Sequence, residues 1–594
     1  MFERKLMTPE PQQAVAASRR DWRVPLRAAG IAAAALAIAL WPGPHAPYGV
    51  WFCVWMAGVV AYAASFPGAL QKYPFPSPAV LVWLLAILGL AVALRLPGLA
   101  HTPANVSIDE LLPAMEALRI VRGETTNVFS SVGWFSMPNL SFAFPALVMR
   151  VIGPTFYAQR LSSMLMGVGG IVAIFLLARR LFGDGTALIS SFLLAVGFWH
   201  IHNSRTGFPF VQSSFCTALV MYLLVRARQD HSRAMLALAG IGFGLAVQCY
   251  FPVRILLVIA PLFLVVDWIA QRTPLRTAAT EAAIVATGAL LVLGPLLMSV
   301  SFSILSGRSI GIILARPAVL QGASQMYHLE GLRELFKRNL TEAAGMFTTW
   351  ADVCVLNRSP SGLLDLGTLG ALIVGVIVAV LQGGAYAWLL LVWSAFTFVF
   401  GVAFTDAPRA SYRLAAAMPA LFILAGLGVE RLLVATAPSQ RWYQRTVRPA
   451  VLAALAAWVG WQNYQLFFVG YAMGDGHETV SSAEMRFMAS HCDGRIFYFF
   501  DGEQQGPEAQ LFCGDFRTLS KQHVLGAVDV THPATFFVAD WQRQWLNTLR
   551  ACYPSAAYMQ HLARDGRALF TRVDVQITDL ITGRSACPDV DRST

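Results

Sequence analysis

Residues 79–99, AVLVWLLAILGLAVALRLPGL, carry a single charge, Arg95, and at 107–124 they give way to SIDELLPAMEALRIVRGE, where charge returns at once. Crossing a hydrocarbon layer of about 30 Å takes about 20 apolar residues as a helix. The stretch therefore reads as a membrane span that delivers the chain to a water boundary, and the polar run reads as the first thing it meets there.

Working outward, runs of similar character lie near 24–41, 48–66, 157–181, 185–202, 207–226, 234–250, 253–270, 279–302, 364–381, 386–404, 413–434 and 449–469. With 79–99 they make about thirteen spans, several short or interrupted by Pro and Gly, which neighbouring helices tolerate in a bundle. Composition agrees: of 594 residues, 56% are hydrophobic and 13% charged, more apolar surface than a water-soluble core of this size hides. The net charge of +11 sits in short loops between apolar runs, which reads as topology and not as a nucleic-acid footprint.

Orientation follows from those loops. Arg4, Lys5, Arg19, Arg20, Arg23 and Arg27 precede or open the first run with no signal-type cleavage site after it, so 1–23 is read as a retained cytoplasmic tail. With that end inside, the inner loops are QKYPFP, RRLFGDG, RARQDHSR, QRTPLR, QGG and ERLLVATAPSQRWYQRTVR, five of the six basic. The expected outer segments are then 100–156, HIHNSRTGF, CYFPVR, 303–363, TDAPRASYR and everything after about 470.

The loop 100–156 is too long for a turn and predicts two amphipathic helices on the membrane surface, near 109–122 and 139–152. Loop 303–363 holds a helical stretch, LRELFKRNLTEAAGMF. The tail 475–594 alternates strand-like RIFYFF and ATFFVAD with helical WQRQWLNTLRACY, predicting a small extracytoplasmic α/β or α+β domain. It holds Cys492, Cys513, Cys552 and Cys587, which read either as cysteines paired in one of three ways in an oxidising compartment or as four free thiols. The expected architecture is mainly α: two additional helices (24–78), a helical bundle (79–474) and the soluble tail domain.

Asp109 and Glu110 carry the strongest chemical signal. They stand just after an outward span, where a lipid headgroup would meet a polar acceptor, although Ser107 as N-cap and acids in a first helical turn account for the pair on structural grounds alone. Arg205, Arg254, Arg409 and Arg413 fall on the same expected face. Guanidinium groups at membrane depth need partners, and a lipid phosphate is one; snorkelling or internal ion pairing is the other. His200 and His202, two apart, suit a loop, and a metal site would need further ligands. His101 could orient a substrate. Asn-x-Ser/Thr triplets begin at Asn105, Asn139, Asn339 and Asn357 and are read as chance. There is no Walker loop or dinucleotide glycine pattern following a strand.

From 79 to 434 the chain resembles the GT-C superfamily of polyprenyl-phosphate-sugar-dependent glycosyltransferases, in particular bacterial relatives of protein O-mannosyltransferases and lipid A aminoarabinose transferases. The resemblance rests on DELLPAMEALRIVRG, on QRLSSMLMGVGG…ARRLFGDG…GFWHIHNSRTGF, on YFPVR and on DAPRASYRLAAAMPALFILAGLGV. It implies a helical bundle in the bacterial cytoplasmic membrane. The implied site faces outward and transfers a sugar from a polyprenyl-phosphate donor to a glycan, lipid or protein acceptor, inverting, with no metal or cofactor.

By position it implies Asp109 as general base, and Arg205, Arg254 and Arg413 toward the donor phosphate. Glu110, His202, Tyr250 and Arg409 complete the candidates for substrate binding. The two helices before residue 79 and the tail after 475 depart from the family pattern. Rival readings are a transporter or flippase of lipid-linked envelope precursors, whose internal repeats are not seen, and a scaffold or sensor anchored by its helices.

Overall fold

Every one of the thirteen apolar runs is helical. In the computed structural model the described residues are 22–41, 49–66, 75–348, 352, 361–435, 447–473, 479–491, 494–500, 515–519, 531–563, 566 and 568–586. Among the described residues, seven helices are long and apolar enough to cross a membrane by length and composition: Pro78–Arg95, Phe156–Phe182, Phe210–Gln229, Phe251–Ala270, Leu275–Ser299, Ala385–Ala403 and Ser411–Ala435. The pair Asp184–Val196 and Phe198–Arg205 is apolar enough when taken together but is bent by 59°, the shape of a broken span or of a re-entrant loop. Shorter apolar helices are Gly49–Ala64, Arg233–Val247 and Leu366–Gln382, with Arg23–Ala39 and Arg448–Tyr464 at either end of the bundle's sequence. Lipid offers no partner to backbone polar groups, so each run closes its own hydrogen bonds as a helix.

Small residues set how closely these helices approach. A Cβ added to Gly375 would lie 1.9 Å from the Leu424 carbonyl oxygen, and one on Gly428 2.3 Å from that of Ala371. Helices Leu366–Gln382 and Met418–Ala435 thus touch backbone to backbone, the contact that replaces hydrophobic driving force inside a membrane. The two N-terminal helices cross at Gly30 and Gly58 in the same way. They are anchored to the bundle by Trp55 Nε1 donating to Leu291 O at 2.7 Å and Tyr62 Oη to Ile284 O at 2.6 Å.

The long loops gather at one end. Helices Ile108–Val121 and Leu140–Ile152 occupy the two expected stretches. Instead of lying free on a surface, they pack Leu111, Ala114, Ala117, Phe142, Ala146 and Met149 into one cluster with Phe208, Phe210 and Tyr250 of the bundle. The loop 303–363 contributes Phe302–Gly311, Pro317–Tyr327 and Gly331–Gly345, tied to the bundle where Asn339 Nδ2 donates to Thr405 O at 2.8 Å. Asn139 and Asn339 are buried, so neither triplet presents its amide to solvent; Asn357 lies outside the described residues. At the opposite end the basic loops are knit by ion pairs, Arg180 to Asp230 at 2.7 Å and Arg228 to Asp267 at 2.6 Å and to Glu281.

Among the described residues the tail forms a five-stranded mixed sheet. Strands β1 (Ile496–Phe500), β2 (Asp515–Leu519), β3 (Ala534–Ala539), β4 (Ala557–Leu562) and β5 (Ala568–Val575) lie in the order β2-β1-β3-β5-β4. Strand β1 is parallel to β2 and β3, and β5 antiparallel to β3 and β4. Helix Gln544–Cys552 takes the expected place after β3. Cys552 is disulfide-bonded, and Cys492, Cys513 and Cys587 lie outside the described residues. Helix Val480–Ser490 joins sheet to bundle: Ala483 and Met488 pack with Phe497, Phe499 and Phe537 of the sheet, and Met485 with the Leu111 cluster.

Candidate active site

Ser107 starts the helix that carries Asp109. Its backbone is extended and its Oγ accepts from the Asp109 amide at 2.9 Å, fixing the first turn as an N-cap does. Asp109 is half-buried and lines a cavity of about 280 Å³. The other contributors come from separated parts of the chain: Trp134 and Phe135 from the first loop, Phe210, Tyr250 and Phe251 from helix starts, Ile312 from the second long loop, Phe400 and Gly401 from a π-turn, and Tyr412 and Arg413 from a 3-10 turn. Phe210 is the hub of the wall, 5.1 Å from both Tyr250 and Tyr412 between ring centroids.

Arg413 is the cationic member of that lining. Its Nη1 donates to Thr405 Oγ1 and Asp406 Oδ1, each at 2.9 Å, which holds the guanidinium in place while leaving it several further donors. A half-buried carboxylate, a held guanidinium and an aromatic wall are the means to accept a proton, balance a phosphate and seat an apolar-faced ligand.

Three of the eight residues singled out from the sequence, Asp109, Tyr250 and Arg413, therefore meet in one cavity. The other five have partners elsewhere. Glu110, one residue from Asp109, is buried and takes a two-point ion pair from Arg160, at 2.8 and 3.1 Å, together with the Gly207 amide. Arg205 donates to four carbonyls, those of Leu94, Arg95, Pro97 and Thr102, at 2.8–3.0 Å. It closes the C-terminal end of Pro78–Arg95, where helix carbonyls lack intrahelical donors.

Arg254 donates to the Leu305 carbonyl and lies over the Phe251 ring. Arg409 pairs with Glu342 at 3.2 Å and is 38% exposed. The arginines of this end are thus spread over four places. His202 is buried and bonds Tyr471 Oη at 3.0 Å; His200 bonds Arg95 at 3.0 Å.

The histidine segment is a correction: FWHIHNSR is an eight-residue helix, not a loop. Gly197 breaks the helix before it, with an added Cβ there 2.9 Å from Leu193 O and 3.3 Å from the Phe422 ring, and Asn463 Oδ1 accepts from the Phe198 amide at 2.6 Å to start the new one. His101 is exposed. Among the described residues no group of three or more His, Cys, Asp or Glu is placed to hold a metal. Sequence reasoning missed Trp134, Phe135, Phe210 and Tyr412, although Tyr412 lies inside a segment it quoted, TDAPRASYR, and Phe210 lies two residues after another, NSRTGF.

Together these features define a polytopic membrane protein with an acid–arginine cavity beneath surface-packed helices. A family model described as dolichyl-phosphate-mannose-protein mannosyltransferase matches residues 136–299. Among solved structures, ArnT from Cupriavidus metallidurans bound to undecaprenyl phosphate is similar over 83% of this chain and 97% of its own, at 13% identity and a TM-score of 0.51. Its apo state is similar over 84% and 99%, at 13% and 0.50. The archaeal oligosaccharyltransferase AglB from Archaeoglobus fulgidus, in complex with an inhibitory peptide and a dolichol-phosphate, covers 86% of this chain and 78% of its own at 13% identity and 0.47. Among curated proteins none matches the sequence. The chain thus shares its fold with ArnT, and part of its bundle matches the mannosyltransferase family model.

Proposed function

We propose that the protein transfers a sugar from a polyprenyl-phosphate donor to an envelope glycan, lipid or protein acceptor, with inversion, on the outer face of a bacterial cytoplasmic membrane. The observation that carries this reading is the presence of Asp109 and Arg413 in one cavity whose other walls are mostly aromatic and aliphatic. Asp109 takes the proton from the acceptor hydroxyl as its oxygen bonds to the anomeric carbon. The bond from that carbon to the phosphate oxygen breaks, and Arg413, already oriented by Asp406 and Thr405, balances the charge on the departing polyprenyl phosphate. Phe251, Ile255, Ile312 and Phe400 offer apolar surface beside it for the first isoprene units.

Tyr250 shapes the wall next to Phe210. Glu110, Arg205, Arg254, His202 and Arg409 serve the reaction through the architecture. The basic loops at the end away from the cavity favour a cytoplasmic N-terminus with the sheet domain outside. The test is turnover. Membranes holding the wild-type protein, supplied with the host's own lipid-linked sugars, should release polyprenyl phosphate and form a glycosylated product. Membranes with Asp109→Asn at equal abundance should form none. Equal turnover would remove Asp109 from the base role.

A further inference from the structure

Trp134 and Phe135 stand at the tip of a tight loop in the first long segment, and both line the cavity that holds Asp109. Phe135 has φ 51° and Ser136 φ 58°, the left-handed region that a bulky aromatic residue rarely adopts. The usual return for an aromatic side chain is burial, yet Phe135 is 43% exposed. Its ring centroid lies 4.5 Å from that of Trp134 with planes at 46°. The two therefore form a bent, partly open surface on the cavity, and backbone conformations of this kind collect at ligand sites.

The loop is held from below. Gly133 N donates to Met137 O at 2.8 Å, Met137 N to Trp134 O at 3.0 Å, and Asn139 N to Ser131 O at 3.0 Å. Met137 is fully buried. Gly133 rests on the helix of Asp109: a Cβ there would lie 2.7 Å from Glu116 Cδ. Glu116 stands seven residues, about two turns, after Asp109 and so on the same face of that helix. One helix thus presents the cavity carboxylate and supports the aromatic tip, fixing the distance between them.

We propose that Trp134 and Phe135 form a stacking platform for a saccharide ring, held in register with Asp109. This rests on the transferase reading above. A sugar ring has a C–H face of slight positive potential that packs on the negative face of an aromatic ring, while its hydroxyls point sideways to polar groups and water. The ring can belong to the donor sugar or to a saccharide acceptor, and the experiment separates the two.

The full-length protein in nanodiscs is tested as wild type, Phe135→Gly and Phe135→Tyr. Glycine suits the left-handed backbone, so Phe135→Gly should keep or raise the melting temperature while removing the ring. The binding probes are undecaprenyl phosphate and a panel of undecaprenyl-phosphate-linked hexoses and pentoses; the same variants are expressed in the host and product glycan is measured by mass spectrometry.

If the platform holds the donor sugar, Phe135→Gly binds bare undecaprenyl phosphate as wild type does but loses about fivefold or more on a glycosylated carrier, and Phe135→Tyr restores it. If it holds the acceptor, carrier binding is unchanged but product falls by a similar factor and returns with Phe135→Tyr. Parallel loss of bare and glycosylated carrier, or wild-type binding and product in Phe135→Gly, overturns the proposal. Failure of the transferase reading looks different: Asp109→Asn would then leave every host glycan as in wild type.

Discussion

Glu110 and Arg160, fifty residues apart, form a buried two-point ion pair immediately beside Asp109, with Nε–Oε1 at 2.8 Å and Nη2–Oε2 at 3.1 Å. Arg160 also donates to the carbonyls of Leu99 and Pro103, at 3.1 and 2.9 Å. The adjacent acids in SIDELL thus do different things: Asp109 faces the cavity, and Glu110 ties its helix to the bundle.

Removing one partner leaves the other charge buried and uncompensated, which typically costs about 3–5 kcal/mol. Glu110→Ala should therefore lower the melting temperature of the purified protein sharply and lose activity through misfolding. Asp109→Asn should melt like wild type and lose activity alone. Thermal unfolding in detergent, followed alongside turnover, separates them.

Arg413→Ala should reduce turnover by about 100-fold or more, the scale seen when a preorganised charge-stabilising donor is removed. Arg413→Lys should recover only part of it, because an ammonium lacks the planar fork that serves Asp406, Thr405 and a phosphate at once. Binding of undecaprenyl phosphate should weaken in step. Unchanged carrier binding in Arg413→Ala would make this arginine structural.

Arg205 and Arg409 should behave oppositely to one another. Arg205→Met orphans four carbonyls and should destabilise by about 3 kcal/mol or more, given 1.5–3 kcal/mol for a typical hydrogen bond to a charged group. Arg409→Ala breaks a partly exposed pair and should cost about 1 kcal/mol or less. Melting curves of the two variants test the contrast.

Helix Val480–Ser490 holds the segment just before Asp109: the Val106 amide donates to Ser482 Oγ at 2.8 Å, and Arg486 Nη2 donates to Ala104 O at 2.7 Å. The double variant Ser482→Ala, Arg486→Ala should speed amide hydrogen exchange across residues 103–109 while the protection of Phe156–Phe182 stays as in wild type. Unchanged exchange at 103–109 would show that the sheet domain does not brace that segment.

Hydropathy placed the helices correctly because a membrane forces each apolar run to satisfy its own backbone, so the signal is local. The surface helices were legible from the apolar period of DELLPAMEALRIV and LSFAFPALVMRVI. Asp109 was legible from its position after a span. What the sequence could not convey is partner choice. Nothing in NSRTGF says that Arg205 reaches back more than a hundred residues to the end of Pro78–Arg95, and nothing near Glu110 names Arg160. The break at Gly197 depends on a close approach of Phe422, and the left-handed turn at Phe135 runs against what a phenylalanine favours.

The central claim is that Asp109 in this cavity drives sugar transfer, and mass spectrometry of the host's envelope lipids, polysaccharides and exported proteins tests it most directly. Hosts expressing wild type or Asp109→Asn at matched abundance should differ by the mass of one sugar on a defined molecule, present with wild type and missing with the variant. Identical glycan profiles in the two would contradict the claim.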